Sequence, residues 1–154
     1  MGAASQSSGT ADRDPVIVID LDLTSLEQVR AQVRRLFGTR TGVVVDDAVQ
    51  VADELVSNAR RHGSPPRSCR LIMLNAQRLL RIEVEDSSPV APTQRARDTT
   101  GGLGMVLIDR LSHSWGVIHH ENHKTVWVEI ATDRPGALHM AVADTPENPE
   151  PDLG

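Results

Sequence analysis

ELVSNARRHG, residues 54 to 63, sets a carboxylate and a carboxamide four residues apart in what is otherwise an ordinary amphipathic helix. Ala48, Val49, Ala52, Leu55, Val56 and Ala59 recur at helical spacing, so the pattern predicts a helix that opens near Asp46 and is stopped by Gly63 and the Pro65-Pro66 pair. A separation of four puts Glu54 and Asn58 on one helix face, about one turn apart and rotated away from the apolar stripe. Asn competes with the backbone for hydrogen bonds, so its place within a helix calls for solvent or for a ligand. The helix alone leaves both answers open.

Outward from this helix the periodicities are readable. VIVIDLDLT, from Val16 to Thr24, is β-branched at its start and alternates at its end, which suits a strand. Thr24 or Ser25 can cap a first helix with Leu26, Val29, Val33 and Leu36 on its inner face, ending before Gly38. After the Glu54 helix, CRLIMLNA and RLLRIEVED read as two strands joined tightly at Gln77 and Arg78. In the second, Leu80, Ile82 and Val84 alternate with Arg81, Glu83 and Glu85. Ser87 to Gly102 has no hydrophobic period, and so long a loop in a compact domain is more often a lid than a connector. A short helix from Leu103 to Leu111 and two strands, SWGVIHH and KTVWVEIA, close the domain. The order strand, helix, helix, hairpin, loop, helix, hairpin predicts an α+β fold, a two-layer α/β sandwich with a mixed, mostly antiparallel sheet and helices on one face.

Composition narrows the functional classes. A chain of 154 residues is long enough for one domain with a real core. Residues 1–14 and the acidic, Pro-rich tail 133–154 have little to bury and are expected to be disordered, leaving 15–132 as the folded part. The net charge of -5 and the scattering of the 16 Lys and Arg argue against nucleic acid as partner. Cys69 is the only cysteine, which rules out an internal disulfide and fits a reducing cytoplasm. No apolar run approaches the ~20 residues that span a bilayer, so no membrane role is expected. The six histidines, His119, His120 and His123 among them, lack metal-ligand context and read as surface residues.

Three segments carry groups suited to chemistry. An Asn58 amide oxygen is a reasonable ligand for a hard cation such as magnesium, and Glu54 beside it can take a proton from a hydroxyl; the pair also reads as an exposed polar face. Asp86 ends a half-buried strand in VEDSSP, where an acceptor-only carboxylate suits an exocyclic amine, or simply an Asx turn. TTGGLG, from Thr99 to Gly104, sets glycines at a helix start, where backbone N–H groups can approach an anion, although a hinge is an equal reading. It matches neither the P-loop nor the dinucleotide fingerprint.

Taken together, ELVSNARRH on a helix, Asp86 at a strand end, GGLG at a helix start and KTVW in the closing strand resemble the GHKL superfamily of ATP-binding domains, which includes histidine kinases, gyrase and MutL. Within it the sequence is most similar to the small bacterial anti-sigma-factor serine kinases, over about Val16 to Ala131. The resemblance implies a Bergerat-type sandwich that binds ATP with Mg2+. It implies Glu54 as general base, Asn58 as magnesium ligand, and His62 near the phosphates or in packing. Asp86 would bind the adenine amine, with Ser87 and Ser88 shaping its pocket, while Gly101, Gly102 and Gly104 cradle phosphates and Thr125 stands by the nucleotide. The implied activity is phosphorylation of a serine on an anti-anti-sigma protein, with a sigma factor as captive and a homodimer as the assembly; a nucleotide-dependent interaction module without catalysis is the alternative. Neither the paired helices of a histidine kinase nor a gyrase-like transducer domain is expected. Two positions depart from the family pattern: Ser88 stands where Asp-x-Gly has its glycine, and His123 and Lys124 precede Thr125 where a Gly is usual. Lys124 is expected to face solvent.

Overall fold

The computed structural model describes residues 15–88 and 103–133. The expectations for 1–14 and 134–154, and for most of the Ser87 to Gly102 stretch with Gly101 and Gly102, lie outside the described residues.

Period-two alternation builds the sheet. Strands β1 (Val16–Asp20), β2 (Ser64–Leu74), β3 (Leu79–Ser87), β4 (Ser114–His119) and β5 (Lys124–Ala131) form one sheet in the order β1-β2-β3-β5-β4. The sheet, expected to be mostly antiparallel, is antiparallel at every pairing. One face is apolar: Cys69, Leu71 and Met73 on β2 stand opposite Val84, Ile82 and Leu80 on β3, which in turn meet Val126, Val128 and Ile130 on β5. The other face is polar. There Arg81 bonds Glu83 at 2.8 Å and Glu129 at 2.9 Å, and its guanidinium lies 4.5 Å from the centre of the Trp127 ring. Gly116, across from Trp127, leaves the indole the space it needs, since a Cβ there would come within 2.9 Å of the ring.

Helices α1 (Leu26–Leu36), α2 (Val43–His62) and α3 (Leu103–Leu111) complete the two-layer sandwich. Ser25, one of the two expected caps, starts α1 with a full capping box: its hydroxyl accepts from Gln28 N–H while the Gln28 side chain accepts from Ser25 N–H. Val29 and Val33 of α1 and Val51, Ala52, Leu55, Val56 and Ala59 of α2 are buried in the common core with Ile108 of α3. The Arg30 guanidinium grips Asp53 at 2.8 Å and ties α1 to α2. Among the described residues no helix is long and apolar enough to cross a membrane.

Three boundaries differ from the sequence reading. α2 opens at Val43 rather than near Asp46, because Gly42, at φ 107°, takes the N-cap and its carbonyl accepts from both Val45 and Asp46. The β-branched run Val43 to Val45 is tolerated there, since a first turn has no preceding turn to crowd it. β1 ends at Asp20 instead of running to Thr24, and Asp20 accepts from the Asp22 N–H in a turn. The Pro65-Pro66 pair lies inside β2, at a register shift between Ser64 and Arg67, and the β2–β3 turn spans Asn75 to Arg78.

Asp47, early in α2, is buried at 5% exposure. Burial, and then the charge of Asp46, raise its carboxyl pKa above the ordinary value. The folded chain therefore holds the Asp47 proton more tightly than the unfolded chain, so this group favours folding at low pH and that contribution is lost as pH rises through the raised pKa. Asp47→Asn is expected to unfold at a higher temperature than the parent at about pH 7, and the gain should vanish below the carboxylate range. Calorimetric unfolding at the two pH values reads this directly, and equal destabilisation at both would mean that Asp47 makes a contact Asn cannot replace.

Candidate functional site

The site is built where the C-terminal end of α2 comes down on the end of β3. Alternation along β3 carries the inner face from Leu80, Ile82 and Val84 on to Asp86, so a carboxylate takes the last position of an apolar row. Asp86 is 1% exposed. Its cross-strand neighbours are Arg67 on β2 and Lys124 on β5, and Lys124 Nζ lies 3.5 Å from Asp86 Oδ2. Gly63 closes α2 directly over this carboxylate. A Cβ at Gly63 would lie 2.5 Å from Asp86 Cγ, 2.6 Å from Asp86 Cβ and 2.6 Å from the Ala59 carbonyl oxygen, so no larger residue fits without movement of backbone or of a short, buried side chain. The sequence marked Gly63 only as a helix stop; its closeness to Asp86 is a long-range contact that local pattern does not reveal.

Two arginines hold the helix end in place. Arg67 donates from Nε to the Ala59 carbonyl at 3.1 Å, which also accepts from the Gly63 N–H, and from Nη2 to the Gly63 carbonyl at 3.0 Å just past the helix. Its Nη1 and its backbone N–H also reach the Asp22 carboxylate, each at 2.9 Å. The Arg67 backbone N–H, with help from the guanidinium, holds the Asp22 carboxyl below its ordinary pKa. Arg60 donates to the Leu21 and Thr24 carbonyls in the turn between β1 and α1. Arg60, within residues 54 to 63, and Arg67, four residues beyond them, are thus structural clamps.

Glu54 and Asn58 are half-buried, at the margin between the packed and the solvated sides of α2. Arg61, largely exposed, bridges them: it donates to Asn58 Oδ1 at 2.8 Å and lies 3.6 Å from Glu54 Oε1. His62 is exposed on the last residue of the helix. Ser88 follows β3 half-buried, and Ser87 donates to the Pro66 carbonyl at 3.3 Å. Gly104 is the second residue of α3, which packs against α2, and therefore lies in the helix's first turn.

Two neighbouring residues of the closing strand lie on opposite faces of the sheet. Thr125 pairs with Glu85 and shares the polar face with Trp127 and Glu129; its hydroxyl lies 3.3 Å from His120 Nε2, on the opposite side of the sheet from Asp86. Lys124, expected in solvent, is on the inner face with a side chain only 11% exposed. The phase of the strand decides this, because Val126, Val128 and Ile130 must face the core and Lys124 is in step with them. Elsewhere, burial pushes the Cys69 thiol up to about 12, so it is an unreactive core residue. His120 and His123 stack at 4.1 Å between ring centres, with His123 3.7 Å from Glu85. Among the described residues no group of three or more His, Cys, Asp or Glu side chains is placed to hold a metal ion.

Comparison with known proteins adds the family. A profile of the histidine kinase-like ATPase domain matches residues 19–130. No curated protein sequence gives a significant match. Among solved structures, the fold is similar to the RsbU and RsbW domains of Rv1364c from Mycobacterium tuberculosis, with a TM-score of 0.58 and 21% identity over 79% of this chain and 33% of that one. It is also similar to the histidine kinase domain of the blue-light activated histidine kinase EL346 from Erythrobacter litoralis, with a TM-score of 0.51 and 18% identity over 82% of this chain and 72% of that one. The chain thus spans about a third of the length of the Mycobacterium structure.

The Gly63 contact is testable without any ligand. Gly63→Ala is expected to cost about 1–3 kcal/mol of stability, the usual penalty for overpacking, read as a lower urea midpoint at unchanged slope. A midpoint equal to that of the parent would show that α2 does not rest on Asp86 in solution.

Proposed function

The chain belongs to the histidine kinase-like ATPase domain family, and on that premise we propose that it is an ATP-binding regulatory protein that phosphorylates a serine of a protein partner. The observation that carries the proposal is the buried Asp86 carboxylate directly beneath Gly63, which ends the helix that bears Glu54 and Asn58 on one face. These residues fit an adenine nucleotide. An acceptor-only carboxylate at the end of an apolar row suits a purine amine with a flat apolar ring behind it. Half-buried Asn58 offers an amide oxygen of the kind magnesium accepts, Gly104 opens a helix whose N-terminus favours negative charge, and Ser88 borders the end of β3.

When bound, magnesium-ATP supplies an electrophilic γ-phosphorus and a leaving group, ADP. In this reading Asp86 holds the base, Asn58 the cation and Gly104 the phosphate end, with His62 bordering the phosphates from the last turn of α2. Glu54 accepts the proton of the partner's serine hydroxyl as its oxygen bonds to the γ-phosphorus and the bond to the β-phosphate oxygen breaks. Most of the acceleration then comes from holding the hydroxyl in line, with Glu54 contributing proton transfer. The resemblance of the ELVSNARRH segment to anti-sigma-factor serine kinases supports an anti-anti-sigma protein as substrate, a sigma factor as captive and a homodimer as the assembly. The fold likeness to a structure containing an RsbW domain is in keeping with that choice. Thr125, with its hydroxyl beside His120 on the other face of the sheet from Asp86, is given no step in this reading.

One observation favours a second reading, a nucleotide-dependent interaction module in which Glu54 is idle: Arg61 engages both Glu54 and Asn58. Two substitutions separate the readings. With labelled ATP, magnesium and a panel of anti-anti-sigma proteins, Glu54→Ala is expected to bind ATP normally and to lose phosphotransfer by about 10²–10⁴-fold, the usual weight of a general base. Asn58→Ala is expected to lose magnesium-dependent ATP binding. ATP bound normally by the parent with no transfer to any partner would leave only the binding role.

A further inference from the structure

The end of the sandwich away from Asp86 is basic. Asp86 lies near one end of β3 and Arg78 just before the other, about 26 Å apart at the usual rise of a strand. Around Arg78 four exposed arginines come together from three segments. Arg34 and Arg35 are in the last turn of α1, where their carbonyls accept from the Phe37 and Gly38 N–H groups. Arg40 follows in the link to α2, with its guanidinium 5.6 Å from the centre of the Phe37 ring and bonded to the Thr132 carbonyl. Thr132 donates its own N–H to the Arg78 carbonyl at 2.8 Å, which ties the β2–β3 turn to the end of β5.

Arginines elsewhere in the domain have counter-ions. Arg30, Arg61, Arg67, Arg70 and Arg81 each lie within 3.6 Å of a carboxylate oxygen. Among the described residues no carboxylate pairs with Arg34, Arg35, Arg40 or Arg78. A cluster of one sign without counter-ions draws an anion from its surroundings. The chain carries a suitable one. Residues 133–154 hold Asp133, Asp144, Glu147, Glu150 and Asp152 against Arg134 alone, so most of the net charge of -5 belongs to them. They continue from Thr132, the residue that Arg40 and Arg78 already hold.

We propose that residues 144–152 engage the arginine end of their own chain, with their four carboxylates as the counter-ions of Arg34, Arg35, Arg40 and Arg78. The tether decides for this occupant over a free acidic partner. From Thr132 to Asp144 a flexible chain reaches roughly 20 Å, which delivers the acids to this end at an effective concentration of about millimolar. One exposed pair biases such a contact by at most about fivefold, so the contact needs several pairs together and weakens as salt screens them. The inference does not rest on nucleotide binding.

The test uses the whole chain carrying Asn148→Cys. Burial pushes the Cys69 thiol up to about 12, so the added cysteine is the one that takes a nitroxide spin label. In amide NMR spectra of isotope-labelled chain at about 0.02 M salt, Arg34, Arg35, Arg40 and Arg78 are expected to be broadened more than the rest of the domain, and the broadening is expected to be lost at about 0.5 M. The chemically reduced label gives the reference intensities. Neutralising the segment, with Asp144→Asn, Glu147→Gln, Glu150→Gln and Asp152→Asn together, is expected to abolish the broadening at low salt. Arg34→Gln with Arg35→Gln, both at exposed positions, is expected to weaken it. Broadening spread evenly over the domain, or absent, would sink the proposal. Broadening that survives neutralisation would do the same, by making the contact an apolar one through ALHMAV, residues 137–142. A mixture of spin-labelled chain with isotope-labelled chain that has no spin label is expected to show no broadening at the arginines; equal broadening there would assign the segment to a second copy and overturn the inference.

Discussion

The structure depends on how closely the end of α2 approaches the end of β3. That approach is set by a missing side chain: at Gly63 a Cβ would stand 2.5 Å from the carboxylate carbon of Asp86. Close packing allows no compromise there, since the neighbours are a helix carbonyl and a short, buried side chain. The position of Gly63 fixes the height of the last turn of α2 above the sheet. It thereby fixes the height of Asn58 and Glu54, one and two turns earlier on the same rigid helix. Arg67 and Arg60 complete the constraint by binding the helix-end carbonyls and the β1–α1 turn, so the helix can neither lift away nor slide along the strand.

Charge is distributed to suit this geometry. The apolar face of the sheet ends in a row of three ionic residues in register, Arg67, Asp86 and Lys124. Burying a carboxylate is costly unless it is paired, and replacing such a pair by apolar residues is often neutral or stabilising. Stability is therefore a poor reason for Asp86 and Lys124 to be there, whereas a polar end to an otherwise apolar slot is a sound reason if something flat and polar at one edge is to enter. On the opposite face the ion pairs of Arg81 with Glu83 and Glu129 are half-buried and more exposed than that of Lys124 with Asp86.

Much of this was legible in the amino-acid order. The alternation in RLLRIEVED assigns Asp86 to the same face as Leu80, Ile82 and Val84, and the observed sheet agrees. In KTVWVEIA the same alternation puts Lys124 on the core side with Val126 and Val128 and Thr125 on the other, against the expectation that Lys124 faces solvent. Helix boundaries were less legible, because Val43 to Val45 has the composition of a strand and only the Gly42 cap and the lack of a preceding turn make it helical. The Gly63 contact and the two arginine clamps join segments far apart in sequence, so no local pattern announces them.

Arg61 bears on what the Glu54 and Asn58 face can do. Its contacts supply a local answer to why Asn58 is tolerated within a helix, since the guanidinium three residues on donates to the amide oxygen. That answer does not compete strongly with a ligand. Arg61 is mostly exposed and its contact with Glu54 is 3.6 Å, and pairs of this kind contribute about 0–1 kcal/mol. Arg60, whose guanidinium is half-buried and bonded to two backbone carbonyls, is much harder to displace, and the neighbouring arginines thus have opposite characters. The helix end is locked by Arg60 and Arg67, while Arg61, which bridges Glu54 and Asn58, is a side chain that solvent can draw away. Among the described residues the frame of α2 is therefore held far more firmly than the contact over its Glu54 and Asn58 face.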